Sequence, residues 1–340
     1  MSESGGFDTA FARVLKSEAL TAEAMRGAVS AMLAGAVEPV RMASFLTALH
    51  LRGETPDEVA GAALAMRAAA RRIEAPDRTL DTCGTGGTGL HTRNVSTAVA
   101  LVLAGLGVPV AKHGNRAASS LTGSSDVLSQ LGVRLDVGLE RTETILRETG
   151  LVFLFAPNHH PGMAHVAPVR KALGFRTIFN LLGPLSNPAG ARRQLLGVYD
   201  GALCRPVAEA LRTSGAEAAW VVHGEDGMDE LTVCGASRVC ALREGALYEF
   251  SVTPEEAGVD HHRPGALRGG APDENAAALR ALLAGAPGAY RDAVLLNAAA
   301  GLIVADETAS LAHGASLAAE AIDDGRAQAA LDRLVEATHA

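Results

Sequence analysis

The pattern of apolar residues changes at Pro76, and the change confines the chain to one broad architecture. Upstream, apolar residues recur only at helical spacing, beginning with Ala10, Phe11, Val14 and Leu15. Thr21 can cap a second helix that stops near Gly35, and a third runs from Pro39 to Gly53. Thr55-Pro56-Asp57-Glu58 reads as a capping box, with Thr55 at the N-cap, proline at the first helical position and Glu58 reaching back. It launches a fourth helix through Ala63, Met66 and Ala70 toward Ile73. Downstream, short apolar runs at 79–82, 108–111, 151–155, 194–198 and 218–222 alternate with helical stretches at 96–106, 125–131, 142–149 and 203–213. That alternation predicts an α/β unit with a mostly parallel central sheet covered by helices. Residues 237–252 read as an antiparallel excursion turning at Glu244-Gly245, and after Asp273 the chain is Ala-rich and helical.

Composition narrows the function. A chain of 340 residues, 48% hydrophobic, suits about two domains and a sizeable core. With 30 Lys and Arg against 38 Asp and Glu, the net charge of -8 argues against nucleic acid or an anionic membrane as partner. The longest uncharged run, from Val95 to Ala111, is broken by Gly105, Gly107 and Pro109, and reads as helix, turn and strand rather than a membrane span. Residues 1–10 are polar and lack a leader pattern. Cys83, Cys204, Cys234 and Cys240 are scattered without a CxxC spacing, which fits thiols packed in a reduced, cytoplasmic protein. No HExxH occurs, so no preformed transition-metal site is expected.

Gly84, Gly86 and Gly89 follow the first expected strand and satisfy GxGxxG. The dinucleotide reading fails on context. The helix starts late, near Asn94, and the next strand ends in Lys112 rather than an acid that could hold a ribose hydroxyl. Two readings remain for the loop alone: a phosphate cradle, because glycines let backbone amides crowd one concavity, or a flexible turn before an ordinary N-cap. Asn94, Val95, Ser96 and Thr97 then open a helix whose free amides point the same way. The next strand ends in Lys112-His113-Gly114-Asn115-Arg116, followed by Ser119, Ser120 and Ser124. Neighbouring parallel strands end on one rim, so Lys112 and Arg116 should face the glycine loop and suit a polyanion such as diphosphate. The strand at 218–222 leads to Asp229-Glu230, an adjacent carboxylate pair suited to Mg2+ on the same rim.

Together these segments resemble the anthranilate phosphoribosyltransferase family. The matching stretches are Gly84-Thr85-Gly86-Gly87, Asn94-Val95-Ser96-Thr97, Lys112-His113-Gly114-Asn115-Arg116 and Val169-Arg170-Lys171-Ala172-Leu173-Gly174. They continue with Arg176-Thr177-Ile178-Phe179-Asn180-Leu181-Leu182-Gly183-Pro184-Leu185-Ser186-Asn187-Pro188, Val221-Val222-His223-Gly224 and Gly227-Met228-Asp229-Glu230. The resemblance implies a small all-helical domain, residues 1–75 joined by about 163–190, in a homodimer built through the helical parts. It implies an α/β domain, residues 76–162 and 191–340, that binds 5-phosphoribosyl diphosphate (PRPP) and Mg2+. The implied reaction transfers the phosphoribosyl group of PRPP to the amine of anthranilate in tryptophan synthesis. By the same resemblance, Gly84, Gly87, Thr88, Thr92, Asn94, Val95, Ser96, Thr97, Lys112, His113, Gly114, Asn115, Arg116, Ala117, Ala118, Ser119, Ser120 and Ser124 contact PRPP. Ser96, Asp229 and Glu230 hold Mg2+, while Gly84, Asn115 and Arg170 take anthranilate. His113 lines the aromatic slot, and His159 and His160 line its tunnel. No covalent or strong acid–base catalyst is expected.

Two departures stand out. Thr88 replaces the family's usual acidic residue, and Arg93 stands where an apolar or small residue is favoured. Retained activity with shifted PRPP or Mg2+ affinity is the expectation. Two alternatives share the architecture: a pyrimidine nucleoside phosphorylase-like enzyme, which needs no Asp229-Glu230 pair, and a nucleic-acid-binding paralogue, against which the net charge, Asn115 and Arg170 all speak.

Overall fold

The computed structural model describes residues 3–116 and 121–340, so the expected contacts at Ala117, Ala118, Ser119 and Ser120 lie outside the described residues. Helices Glu3–Val14, Ala22–Leu33, Pro39–Arg52 and Pro56–Ala69 come first. Seven strands follow: β1 Leu80–Gly84, β2 Val110–Gly114, β3 Leu151–Phe155, β4 Arg193–Gly197, β5 Ala218–Gly224, β6 Ser237–Arg243 and β7 Ala246–Val252. They form one sheet in the order β3-β2-β1-β4-β5-β6-β7. The pairs among β1 to β5 are parallel, and β6 and β7 are antiparallel. Glu244 and Gly245 turn the last hairpin with φ of 52° and 76°, the two left-handed residues of a type I′ turn. The fold is thus a helical bundle followed by an α/β unit with a mostly parallel mixed sheet.

Two apolar clusters flank the sheet. One joins helices Val95–Gly105, Ala289–Val304, Leu311–Asp323 and Arg326–His339 to one face. The other joins the N-terminal helices and helix Cys204–Thr213 to the opposite face. Helices Met163–Leu173 and Phe179–Leu185 leave the sheet between β3 and β4 and pack on helices Ala22–Leu33, Pro39–Arg52 and Pro56–Ala69. Close approach depends on small residues: a Cβ at Gly61 would lie 2.1 Å from the Ala22 carbonyl oxygen. Among the described residues, no helix is long and apolar enough to cross a membrane.

The capping expectations hold at Thr21 and Thr55, whose side chains accept from the amides of Ala24 and Glu58. Glu58 does more than cap. It is fully buried, accepts from the amides of Leu20 at 2.8 Å and Thr55 at 2.9 Å, and pairs with Arg52. The fourth helix ends at Ala69, short of Ile73, because Ala70 already has extended backbone. Losing the Glu58 carboxylate strands the Arg52 charge and two amides together. Glu58→Ala should therefore lower the unfolding free energy by about 3–5 kcal/mol. Urea denaturation measures this, and a loss below about 1 kcal/mol would reduce Glu58 to an ordinary cap.

Candidate active site

Strand order reverses at β1, which lies between β2 and β4. In sheets of this kind, ligands collect at that point, beyond the carboxyl ends of the strands. β1 ends at Gly84, whose register partner is Gly197 of β4. The chain leaving β5 folds back over both ends, with the Gly224 amide donating to the Met228 carbonyl at 2.9 Å. This lays Asp229 directly on the two glycines. A Cβ at Gly197 would lie 1.5 Å from the Asp229 carbonyl oxygen, and one at Gly84 would lie 2.4 Å from its Oδ2. Backbone crowding therefore demands glycine at Gly197, and at Gly84 the Asp229 carboxylate occupies the space a side chain would need.

The loop beyond Gly84 takes left-handed backbone at Gly86, Gly87 and Gly89, with φ of 65°, 79° and 76°. Thr85 donates its amide to the Gly197 carbonyl at 2.9 Å and accepts the Tyr199 amide on Oγ1 at 3.0 Å. The Gly86 amide donates to Asp229 Oδ2 at 2.7 Å, and the Gly87 carbonyl accepts from Arg176. Thr88 Oγ1 accepts the Leu90 amide at 3.3 Å, a local turn contact. Farther along, Thr92 bridges Arg268, and the Arg93 guanidinium lies 5.4 Å from the centre of the Tyr290 ring.

Asn94 occupies the N-cap of helix Val95–Gly105, yet its side chain makes no capping bond. Its amide oxygen instead accepts from Asn275 at 3.1 Å, a partner remote in sequence. Val95 and Thr97 are buried in the first turn, and Ser96 is half-buried.

Under the loop lies a group of buried charges. Lys112 is 3% exposed and donates to the Thr82 carbonyl and, at 3.1 Å, to Ser96 Oγ. It supports the rim from beneath rather than standing out over the glycine loop, because the β2 side chain at this register points into the sheet's packed layer. Burial lowers the Lys112 pKa, with Asp81, Glu230 and Asp229 acting against that shift. Burial raises Asp229, which the Gly86 amide partly offsets. Burial, followed by the Asp229 charge, pushes Glu230 well above the usual carboxylate range. Ser96, Asp229 and Glu230 line a cavity of about 10 Å³ together with Thr82, Cys83, Gly197 and Asn297. Glu230 Oε2 is buried there without a hydrogen-bond partner.

This donor set suits a hard divalent cation. It offers oxygen ligands, one of them unpartnered, and two carboxylates whose mutual repulsion a cation would relieve. Among the described residues, no three His, Cys, Asp or Glu side chains form a metal cage by themselves.

Around the rim, Arg116 does not face the loop as expected. Its guanidinium sits 6.0 Å from the Phe155 ring centre, on the β3 side of β2, where an aromatic face receives it. Asn115 is exposed and accepts the Arg116 amide at 2.8 Å. Gly114 leaves room for Ser124, whose Oγ a Cβ there would approach to 2.4 Å. His113 Nδ1 is 2.9 Å from the Gly183 carbonyl oxygen, and its ring lies 5.1 Å from that of His160. His159 Nδ1 is 2.8 Å from the Arg71 carbonyl oxygen. Arg170 is half-buried, 6.0 Å from the Phe179 ring centre, with no hydrogen-bond or ion-pair partner for its guanidinium among the described residues. Sequence reasoning did not single out Asp81, Asn275, Asn297 or Arg176. Asp81, a fully buried carboxylate in β1, and Arg176, at the head of a quoted matching stretch, were present in the sequence without a role assigned to them.

A helical bundle joined to such a sheet, with an anion-ready rim at the strand-order reversal, is the architecture of a glycosyl transferase. The model for a glycosyl transferase family helical bundle domain matches residues 9–70, and the model for its a/b domain matches residues 76–328. An anthranilate phosphoribosyltransferase of Parvibaculum lavamentivorans is 51% identical over 333 residues, covering 98% of each chain. Another, from Phenylobacterium zucineum, is 54% identical and covers 91% of each. The crystal structure of the Thermus thermophilus enzyme superposes with a TM-score of 0.93 at 48% identity, over 97% of this chain and 99% of that one. The Saccharomyces cerevisiae enzyme in complex with PRPP and Mg superposes at 0.90 with 27% identity, over 99% of each chain. The chain belongs to the anthranilate phosphoribosyltransferase family.

The buried histidines set a pH limit. Burial, then the neighbouring His160, lowers His113 from 6.5 to about 3; burial, then His159, lowers His160 to about 4. Both rings stay neutral when folded and take up protons near 6.5 when unfolded. Stability is therefore fully present above 6.5 and falls as pH drops toward the folded values, by on the order of 1 kcal/mol per pH unit for each ring. Urea midpoints at pH 7 and pH 5 should show the loss, and His113→Gln with His160→Gln should shrink it. An equal loss in the double variant would assign it elsewhere.

Proposed function

We propose that transfer of the 5-phosphoribosyl group from PRPP to the amine of anthranilate, giving N-(5-phosphoribosyl)anthranilate and diphosphate, takes place on this rim. The reaction is the second step of tryptophan synthesis from chorismate. The observation that carries the reading is the convergence of the glycine loop, the N-terminus of helix Val95–Gly105 and the Asp229-Glu230 pair where the strand order reverses. Gly84, Gly87, Thr88, Thr92, Asn94, Val95, Ser96 and Thr97 form one wall of the PRPP site. Gly114, Asn115 and Ser124 form the other, with Lys112 beneath it and Arg116 turned toward Phe155.

Ribose C1 gains positive character as diphosphate departs with negative charge. Backbone amides aimed at the leaving group stabilise it as charge develops, and one preorganised donor is worth ~3 kcal/mol in mutational tests. Lys112 acts from below, anchoring Ser96 Oγ and offsetting the carboxylates. Mg2+, held by Ser96, Asp229 and Glu230, would neutralise part of the diphosphate charge. Arg170 receives the anthranilate carboxylate, for which a half-buried guanidinium without an acidic partner is suited by charge and planar geometry. Asn115 and Gly84 complete the anthranilate contacts. The aniline-type amine is already neutral at pH 7, so the chain needs no strong base. Holding the amine against C1 contributes up to ~7–11 kcal/mol in ideal cases.

The helical domain on this reading comprises residues 1–75 joined by about 163–190, and residues 76–162 with 191–340 form the α/β domain. Packing of helices Met163–Leu173 and Phe179–Leu185 on the N-terminal helices supports that division. Val40 and Leu51 stand 78% and 80% exposed on helix Pro39–Arg52, an apolar pair that a second copy would cover in a homodimer. The enzyme works in the cytoplasm, without nucleic acid or membrane.

Loss of anthranilate fluorescence in the presence of PRPP and Mg2+ tests the activity directly; fluorescence unchanged with all three present rejects it. Arg170→Ala should raise the anthranilate KM more than tenfold and change the PRPP KM less, and equal changes would deny it the carboxylate. Asp229→Asn with Glu230→Gln should cut turnover at limiting Mg2+ by about a hundredfold or more. Wild-type rates in that variant would reject the metal assignment.

A further inference from the structure

We propose that Arg176 is a positioning residue for the transfer: it braces the glycine loop from the segment that follows the helix bearing Arg170. The proposal rests on reading that loop as the PRPP cradle. A loop with left-handed backbone at Gly86, Gly87 and Gly89 has little stiffness of its own, so its shape depends on what holds it. Thr85 and Gly86 are held by the rim itself, through Gly197, Tyr199 and Asp229. Gly87 is held from another part of the chain, by Arg176. Glycine suits that position because its backbone is left-handed there, with φ of 79°, while a Cβ 3.4 Å from the guanidinium would only be in ordinary contact.

Arg176 is itself fixed. Its guanidinium lies 4.1 Å from the Tyr199 ring centre, and Tyr199 is tied to Thr85. A planar guanidinium can stack on a ring while donating within its plane, which an ammonium cannot do. The adjacent Phe175 stacks on His50 of helix Pro39–Arg52, with ring centres 4.7 Å apart. Helix Met163–Leu173, which carries Arg170, closes at Gly174 with φ of 71°. In the two residues beyond that turn, Phe175 grips the helical bundle and Arg176 grips the loop. The strut joins the side of the site assigned to anthranilate to the side assigned to PRPP.

Arg176 is exposed, so removing it should cost little global stability. It should instead lower the fraction of chains whose loop is ready to bind, and the apparent PRPP affinity falls by that fraction. Isothermal titration with PRPP and Mg2+ should give a Kd raised about tenfold in Arg176→Ala and similarly in Arg176→Lys, with the melting temperature within a few degrees of wild type. Tyr199→Leu should raise it too, Tyr199→Phe less, and Arg176→Ala with Tyr199→Leu should fall short of the product of the single effects. An unchanged Kd in Arg176→Ala, or full multiplication in the double variant, overturns the strut while leaving the PRPP site standing. A raised Kd accompanied by a large fall in melting temperature also overturns it, as a folding effect. Wild-type protein that fails to bind PRPP overturns the loop reading and the strut together.

Discussion

Two half-buried carboxylates in one turn, Asp229 and Glu230, are the constraint around which the rim is organised. Neighbouring acids out of water repel each other, and neither is tolerated without compensating groups. Lys112 lies below them, the Gly86 amide meets Asp229, and the Ser96 amide at the helix start favours the charged form of Glu230. Gly84 and Gly197 have no side chain because Asp229 fills that space. The compensation is incomplete, and Glu230 Oε2 keeps an unused acceptor. A site left short of positive charge in this way is poised for a cation and the anionic substrate it accompanies.

The rest of the fold brings a second chemistry to this rim. The chain leaves the sheet after β3, runs through helices packed on the N-terminal bundle, and returns as β4 beside β1. That excursion carries Arg170 and Arg176 and supplies the Gly183 carbonyl to His113. The bundle and one face of the sheet share a single apolar cluster, so the two parts of the site rest on continuous packing. Neutral, buried His113 and His160 add an uncharged lining beside the charged rim.

Much of this was legible in one dimension. The Thr55 capping box, the Glu244-Gly245 turn and the alternation after Pro76 are short-range signals, and each appears as read. Strand ends were less legible: β1 and β2 run to Gly84 and Gly114, past the expected ends, because pairing with β4 and β3 continues that far. The contact made by the Asn94 side chain was not legible and the direction of Arg116 was misread, for one reason. Their partners, Asn275 and Phe155, are remote in the chain, and a local motif carries no record of them.

By itself, the sequence determined the helical start, the α/β remainder, the glycine-rich turn and the acidic pair, because spacing and residue type act over a few residues. Only the tertiary structure decided that Lys112 lies beneath the rim, that Asp229 rests on two glycines, and that Arg176 reaches Gly87. Those outcomes depend on strand order and on which chain segment crosses which strand end. The physical reason is that close approach between distant segments is settled by excluded volume and burial in the assembled fold.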